Sequence, residues 1–294
     1  MSEIRCEECH WRMPDGESLF GRHWSPAEPH GGGIYLLHGL GEHSGRYAAL
    51  AAWLAERGWQ VRAHDHHGHG RSPGLRGSIP RAGALVEDAA DLVGRFAREI
   101  GRRPVLLGHS LGGALAAELV VTRRLPVDSL VLSSPGLDAG LNPVQRLMLA
   151  VMLRIAPGRT IGNGLDPRKL SHDPAVVEAY LQDPLVHDRV CARLVKWAVD
   201  AGSGAIAAAD TLAVDTLMLV AGDDALVAPA GSRRFADRAP AGRVTLHWYE
   251  GFWHEVFNER ADYRAQVLAD FDAWLMVRST PGKSVQPSLA AASN

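Results

Sequence analysis

Short apolar runs alternate with longer amphipathic segments along the first 136 residues of the chain. The runs are bounded by glycine, proline and polar residues, a pattern that predicts buried strands. They occupy residues 33–37, 59–63, 103–107 and 128–134. Helical spacing of apolar side chains predicts a helix after each of the first three runs. These helices span residues 46–58, 82–100 and 114–123. The order predicts an α/β fold with a mostly parallel sheet and helices on both faces.

The alternation of strands and helices stops after the fourth run and resumes near residue 211. Between these points the pattern predicts no clear strand. It predicts helices at residues 143–155, 174–182 and 190–201. A helical insertion after a strand of such a sheet is typical of a cap over an active site. Leu149 and Met152, in the most apolar of these helices, are candidates for contact with a lipid chain.

The strand pattern returns at residues 215–221 and 243–249 and ends with a helix at residues 260–277. An N-terminal hairpin brings the predicted sheet to about eight strands. Small polar residues and proline at the end of the chain predict disorder. We therefore predict a core of residues 1–136 and 211–278, a helical cap of residues 137–210 and a disordered tail of residues 279–294.

Composition restricts the class of protein. The chain has 294 residues, of which 46% are apolar and 22% charged, as expected for a globular protein with a full core. The formal net charge of −2 gives no indication of a nucleic-acid partner. No apolar run reaches the roughly 18 residues of a membrane span, and the first residues lack the apolar core of a secretory signal. Three cysteines, an odd number, favour a reducing cytoplasm.

The most informative stretch is Gly-His-Ser-Leu-Gly at residues 108–112, between a predicted strand and a predicted helix. A Cβ at either flanking glycine would collide with the neighbouring strand or helix in so sharp a turn. The turn holds Ser110 at the end of the sheet beside the first amides of a helix. This is how a nucleophile for acyl transfer is presented.

A serine nucleophile needs a base, and the base needs an acid to orient it. His254 follows the last predicted strand, and Asp224 follows the strand before it. Because loops after parallel strands meet at one edge of a sheet, these residues and Ser110 are expected to lie close together. Asp223 is the alternative acid. Ser110, Asp224 and His254 are therefore the predicted catalytic residues.

Backbone amides near two of these strand ends are candidates for an oxyanion hole. Glycines at positions 39 and 41 let the chain curl after the strand at residues 33–37. An amide from such a loop and the amide after the nucleophile together stabilise a tetrahedral oxyanion. The N–H groups of Leu40 and Leu111 are therefore the predicted oxyanion-hole donors.

Two clusters contain potential metal ligands. Residues 64–69 hold four histidines and Asp65, and residues 6–10 have the Cys-x-x-Cys-His pattern of haem attachment. The first cluster lacks an evident remote ligand, and the second lacks a signal peptide and an axial partner. We therefore predict no metal and no cofactor, with Asp65 and its neighbouring histidines binding nearby backbone instead.

Several motifs together resemble the α/β-hydrolase fold, and in particular its monoacylglycerol lipase and lysophospholipase-like serine hydrolases. The resemblance runs from about residue 10 to 278 and rests on residues 38–47, 65–72, 108–112, 224–227 and 249–255. It implies the same nucleophile, acid and base, and the same pair of oxyanion amides, as the reasoning above.

The resemblance implies a serine hydrolase of carboxylic esters that forms an acyl-enzyme, acting on monoacylglycerol or lysophospholipid-like lipids. A short-chain esterase, a thioesterase and an acyltransferase on the same fold are alternatives. A non-catalytic ligand-binding protein on a hydrolase scaffold is a further alternative, which the complete triad disfavours. A lipid substrate also leaves peripheral contact with a membrane surface open, although no basic amphipathic helix indicates it.

Overall fold

The computed structural model describes residues 4–29 and 32–279, and ten strands form two sheets within them. The strands are β1 (Arg5–Arg12), β2 (Ser18–Ser25), β3 (Gly32–Leu37), β4 (Trp59–His64), β5 (Val105–His109), β6 (Ser129–Ser133), β7 (Thr160–Gly162), β8 (Arg189–Cys191), β9 (Thr216–Ala221) and β10 (Val244–Tyr249). Eight of them form one sheet in the order β1-β2-β4-β3-β5-β6-β9-β10, and β7 pairs with β8 in a second sheet.

The α-helices of these residues cover the large sheet and build the insertion. They are α1 (Ala48–Glu56), α2 (Ala84–Glu99), α3 (Leu111–Val121), α4 (Pro143–Ile155), α5 (Pro174–Gln182), α6 (Ala192–Ala207), α7 (Ala230–Arg238) and α8 (Ala261–Ser279). In the large sheet β1, β2 and β4 pair antiparallel, and the strands from β4 to β10 are parallel. The predicted α/β fold with a mostly parallel sheet of about eight strands is confirmed.

The central strands are apolar on both faces, which is why helices cover both. Tyr35 and Leu37 of β3 pack in one cluster with α2 and α3, and Ile34 and Leu36 pack on the opposite face with α1 and α8. A register slip of one residue would exchange these two sets, so the packing fixes the register. Because these strands run parallel, the carboxyl ends of β3, β5, β9 and β10 lie at the same edge of the sheet.

Residues 137–210, which we call the cap, add no strand to the large sheet. Helices α4 and α5 have the predicted bounds. The expectation of no strand in this stretch was wrong, because β7 and β8 pair antiparallel over three residues each. Strands this short show too little alternation to be detected in a sequence. Because residues 190 and 191 belong to β8, α6 begins at Ala192, two residues after the predicted helix start.

The ends of the chain leave part of the prediction open. The predicted tail begins at residue 279, which ends α8, and residues 280–294 lie outside the described residues. In residues 4–29 and 32–279, none of the helices has the length and apolar character needed to cross a bilayer. The cytoplasmic location stays a prediction.

Candidate active site

Ser110 stands at the turn between β5 and α3, with φ 52° and ψ −118°. A positive φ is strained for a residue with a side chain, and such strain often marks a functional site. The flanking glycines make the turn possible. A Cβ on Gly108 would collide with the carbonyl of Gly112, and a Cβ on Gly112 would collide with that of Leu37. The turn therefore presents Ser110 at the carboxyl edge of the sheet.

His254 and Asp224 form a buried pair. His254 Nδ1 lies 2.6 Å from Asp224 Oδ2, and the two side chains are only 4% and 1% exposed. The other carboxylate oxygen, Oδ1, accepts hydrogen bonds from the N–H groups of Leu226 (2.8 Å) and Val227 (3.1 Å). Asp223 is exposed. Of the two candidate acids, it is Asp224 that contacts the imidazole.

The electrostatics of the pair favour its charged form. Burial opposes protonation of His254, but the Asp224 carboxylate and its hydrogen bond outweigh burial and raise the pKa of His254 above 6.5. Burial also opposes ionisation of Asp224, yet its bonds to His254 and to the backbone lower the pKa of that carboxyl. The site can therefore stabilise an imidazolium, which is the state a general base reaches after accepting a proton.

A cavity of about 280 Å³ brings Ser110, His254 and Leu40 to one surface. The other walls come from the cap and from the loops after β3, β9 and β10. The polar lining of the cavity includes Glu42, Asn163, Asp166, Tyr180, Asp183 and Asp188. Its apolar lining includes Leu40, Leu165, Leu170, Leu181, Val186 and Leu226. A cavity lined by both polar and apolar side chains suits an amphipathic substrate.

The loop after β3 lies against Ser110. A Cβ on Gly39 would lie 2.8 Å from Glu42 Oε1 and 3.2 Å from Ser110 Cβ, so glycine permits this close approach without a shift of either side chain. The Gly39 N–H donates to Glu42 Oε1 over 2.6 Å. Leu40 lines the cavity, and Leu111 is the first residue of α3, where amide groups have no partner within the helix. Both predicted oxyanion donors are thus next to Ser110.

An ion-pair network that the sequence did not reveal joins this loop to the His254 loop. Arg46 contacts Glu42 Oε2 over 2.8 Å and holds both carboxylate oxygens of Glu255 at 2.5 and 2.8 Å. Its side chain is 10% exposed, and both glutamates are 4% exposed. Burial opposes ionisation of Glu255, but Arg46 outweighs it and lowers the pKa of Glu255 to about 2. Nothing in the spacing of residues 46 and 255 predicts this contact.

The histidine-rich loop after β4 contacts nearby backbone through its carboxylate and its imidazoles. Asp65 accepts hydrogen bonds from the N–H groups of Ser44 and Arg71, both at 2.8 Å. Cys6 and Cys9 are free thiols on β1. In the part of the chain that the structure describes, His, Cys, Asp and Glu side chains form no group of three or more that could hold a metal ion.

The two cap residues predicted to contact a lipid chain lie on α4. Leu149 and Met152 are half-buried and are not among the residues that line the cavity. Their part in binding an acyl chain stays a prediction. The part of the apolar lining that the cap supplies comes instead from later residues, among them Leu165 and Leu181. Those leucines lie in a loop and at a helix end, where no amphipathic pattern marks them.

The fold and this site define an α/β-hydrolase with Ser110 at the turn between β5 and α3. A family model described as serine aminopeptidase, S33, matches residues 28–261, and the chain belongs to that family. A monoacylglycerol lipase of Mycolicibacterium smegmatis is 35% identical over 257 residues, 86% of this chain and 91% of the relative. Human monoglyceride lipase is 32% identical over 282 residues, which cover 93% of this chain and 91% of the relative.

The solved structures agree with the sequence relatives. The crystal structure of a monoacylglycerol lipase from Paleococcus ferrophilus has a TM-score of 0.79 and 32% identity, and the match covers 94% of this chain and 99% of that one. The resemblance found in the motifs is therefore confirmed. The protein is an ester hydrolase similar to monoacylglycerol lipases.

Proposed function

We propose that this protein hydrolyses monoacylglycerols through an acyl-enzyme on Ser110, with His254 as base and Asp224 as its orienting acid. The observation that carries the proposal is the buried His254–Asp224 pair, whose histidine shares one cavity with Ser110. The names of the relatives, which include monoacylglycerol lipases at 35% and 32% identity, support the substrate class.

The first half of the reaction forms the acyl-enzyme. His254 Nδ1 donates to Asp224, so its Nε2 has a free electron pair. Nε2 takes the proton of the Ser110 hydroxyl while Oγ bonds to the ester carbonyl carbon. The carbonyl electrons move to the oxyanion, which accepts hydrogen bonds from the amides of Leu40 and Leu111. When the carbonyl re-forms, the bond to glycerol breaks, and His254 returns the proton to the glycerol oxygen.

The second half releases the fatty acid. Water gives a proton to His254 Nε2 and bonds to the acyl carbon, and the same two amides stabilise the second oxyanion. Collapse breaks the bond to Ser110 Oγ, which regains its proton from His254. Each oxyanion donor contributes about 3 kcal/mol to stabilising the transition state.

The charge of the cavity favours a neutral glyceride over a lysophospholipid. Five carboxylates line it, and its described lining contains no lysine or arginine. They are Glu42, Asp166, Asp183, Asp188 and Glu255. Arg46 pairs with Glu42 and Glu255, and Arg168 pairs with Asp166 over 2.9 Å. The Asp188 side chain is 79% exposed at the wall, and Arg189 approaches it to 3.9 Å. Glycerol hydroxyls can donate to carboxylates, but a phosphate next to one is repelled by about 1 to 4 kcal/mol at 4 Å.

The proposal is tested with substrates that share one long acyl chain. We expect kcat/KM for the monoacylglycerol to exceed that for the matching lysophosphatidic acid by about fivefold or more, because an exposed carboxylate repels the phosphate by about 1 kcal/mol. Asp188→Asn is expected to reduce this ratio of kcat/KM values. Asp210→Asn, on an exposed 3-10 turn outside the cavity, is expected to leave the ratio unchanged. Equal rates on both lipids contradict a neutral head-group site.

The same assay separates the remaining functions. Turnover of short 4-nitrophenyl esters alone keeps the triad and rejects the lipid substrate. Faster turnover of acyl thioesters, or transfer to added alcohol in place of water, identifies a thioesterase or an acyltransferase. Labelling of Ser110 by a fluorophosphonate without turnover of any ester indicates a binding protein on a hydrolase scaffold.

The acyl chain is expected to extend along the apolar walls toward the cap. Leu149→Asp lowers kcat/KM more for long-chain than for short-chain esters if α4 covers the chain, as the sequence predicts. Leu181→Asp, at a residue that lines the cavity, serves as the reference for such a selective loss. Equal losses of Leu149→Asp on both chain lengths reject a role of α4 in the acyl site.

The pH dependence follows from the raised pKa of His254. Only the neutral imidazole accepts the Ser110 proton, so kcat/KM falls as pH falls through that pKa. Because the Asp224 carboxylate outweighs burial, the midpoint lies above the ordinary value of 6.5. Measured on a neutral ester from about pH 5 to about pH 9, the acid limb of the profile gives this midpoint. A midpoint below 6.5 contradicts a stabilising His254–Asp224 pair.

Peripheral contact with a membrane stays a prediction. The sequence pattern indicated no basic amphipathic helix, but α4 in the structure combines basic charges with an exposed apolar surface. Several large apolar side chains on this helix are exposed to solvent, and its charged residues, Arg146 and Arg154, are both basic. The exposed side chains are Val144, Leu147, Met148, Val151 and Ile155. Such a helix suits an anionic lipid surface.

A further inference from the structure

One hydrogen bond controls the peptide that carries the Leu40 amide. The carbonyl oxygen of Gly39 belongs to the same peptide group as the Leu40 N–H and lies 2.8 Å from His38 Nδ1. A carbonyl oxygen only accepts, so Nδ1 carries a proton and donates it. The C=O and N–H of a trans peptide point in opposite directions. Fixing the Gly39 carbonyl on His38 therefore fixes the direction of the Leu40 N–H.

The opposite side of the His38 ring requires the same tautomer. His38 Nε2 lies 2.9 Å from the backbone N–H of His66, which can only donate. Nε2 is therefore the unprotonated nitrogen, and the proton of the neutral ring resides on Nδ1. Two independent backbone contacts thus agree on one tautomer of His38.

A chain of buried side chains continues from His66 and has one consistent arrangement of protons. His66 Nε2 donates to the His38 carbonyl over 3.1 Å, so His66 Nδ1 accepts. It accepts from His64 Nε2 at 3.1 Å, and His64 Nδ1 in turn accepts from the Tyr35 hydroxyl at 3.0 Å. Every donor in the chain faces an acceptor, so each contact holds the next ring in place.

The four side chains of this hydrogen-bonded series are shielded from solvent. Tyr35, His38 and His64 are 0% exposed, and His66 is 1% exposed. Burial lowers the pKa of His64 to about 4 and holds the pKa values of His38 and His66 well below their usual range. All three imidazoles are neutral at physiological pH, which preserves the acceptor nitrogens on which the arrangement depends.

We propose that His38 is a positioning residue for ester hydrolysis: it donates to the Gly39 carbonyl, aims the Leu40 N–H at the oxyanion, and is itself held by the His66–His64–Tyr35 chain. This inference rests on the proposed function, because it assigns a role within that oxyanion hole. Glu42 holds the Gly39 N–H from the other side, so both polar groups of this glycine have a fixed partner.

Two variants separate the two nitrogens of His38. The amide of His38→Asn occupies the position of Nδ1 and keeps a donor for the Gly39 carbonyl. The amide of His38→Gln occupies the position of Nε2 and keeps only an acceptor for the His66 N–H. We expect His38→Gln to lower kcat by at least about 30-fold with little change in KM, and His38→Asn to lower it by no more than about fivefold.

The controls separate positioning from a loss of stability. A trifluoromethyl ketone analogue, which presents an oxyanion to the site, is expected to lose affinity in parallel with kcat in His38→Gln but not in His38→Asn. Both variants are compared by thermal unfolding with His23→Gln. His23 is also buried and hydrogen-bonded, to Arg62, but does not contact this chain. Equal losses of kcat in the two His38 variants overturn the proposal. A loss of kcat in His38→Gln no larger than in His23→Gln also overturns it.

A measurement without turnover keeps this inference distinct from the proposed function. Nitrogen-15 NMR of the wild-type histidines reports which ring nitrogen carries the proton. A His38 signal with the proton on Nδ1 supports the proposal, and a proton on Nε2 overturns it whatever the activity. Conversely, a wild-type protein that hydrolyses no ester refutes the proposed function while the tautomer still tests the contact with Gly39.

Discussion

Ser110→Ala is expected to lower kcat for a long-chain monoacylglycerol by at least about 10⁴-fold, because the proposed acyl-enzyme forms on the Ser110 hydroxyl. The variant keeps the cavity, the oxyanion amides and the His254–Asp224 pair, so substrate binding changes little. Steady-state hydrolysis measures turnover, and labelling by a fluorophosphonate measures the reactivity of the Ser110 hydroxyl. Both signals are expected to vanish together.

Ser129→Ala is a matched control for this change. Ser129 is 1% exposed and begins β6, opposite Val105 at the far end of the ladder from the active-site edge. Its loss tests the cost of removing a buried hydroxyl from the same sheet, and we expect kcat to be unchanged. Ester turnover retained in Ser110→Ala, with protein of unaltered thermal stability, contradicts the nucleophile assignment.

Asp224→Asn is expected to lower kcat by about 10⁴-fold while leaving the fold intact. The carboxylate accepts the proton on His254 Nδ1, whereas an amide nitrogen in its place donates to Nδ1 and moves the ring proton to Nε2. The base then has no free electron pair for the Ser110 proton, and an imidazolium loses its counter-charge. Single-turnover kinetics with a 4-nitrophenyl ester measure the loss in the acylation step.

Asp223→Asn makes the same change one residue earlier in the chain. Its side chain is exposed and does not contact His254, so we expect kcat to change by less than about twofold. The pair of variants therefore decides between the two acids that the sequence left open. A larger loss in Asp223→Asn than in Asp224→Asn reverses the assignment.

Much of the fold could be predicted because its signals are local. The strands around Ser110 are continuous apolar runs, since both faces of a central strand are buried in this sheet. The glycines at 108 and 112 are required by collisions with atoms of the same turn or the adjacent strand. The helices α4 and α5 begin with proline after a capping residue, and their bounds were predicted correctly.

The structure adds contacts between residues far apart in the chain. Arg46 and Glu255 are 209 positions apart and form a buried ion pair, which no periodicity can indicate. The same holds for the cavity, to whose apolar lining the cap contributes leucines from a loop and a helix end and none from the apolar helix α4. β7 and β8 have three residues each, and each is stabilised by its pairing with the other.

The sequence by itself determined the strand–turn–helix that presents Ser110 and the α/β class, and it was enough to propose the order of nucleophile, acid and base. Each depends on neighbours within a few residues or on a repeated pattern. Only the tertiary structure decided which aspartate meets His254, which leucines line the cavity, and that four buried side chains from Tyr35 to His66 share one arrangement of protons. Those decisions depend on distances of a few ångströms between residues from different strands, and hydrogen bonds and ion pairs are sensitive to such distances.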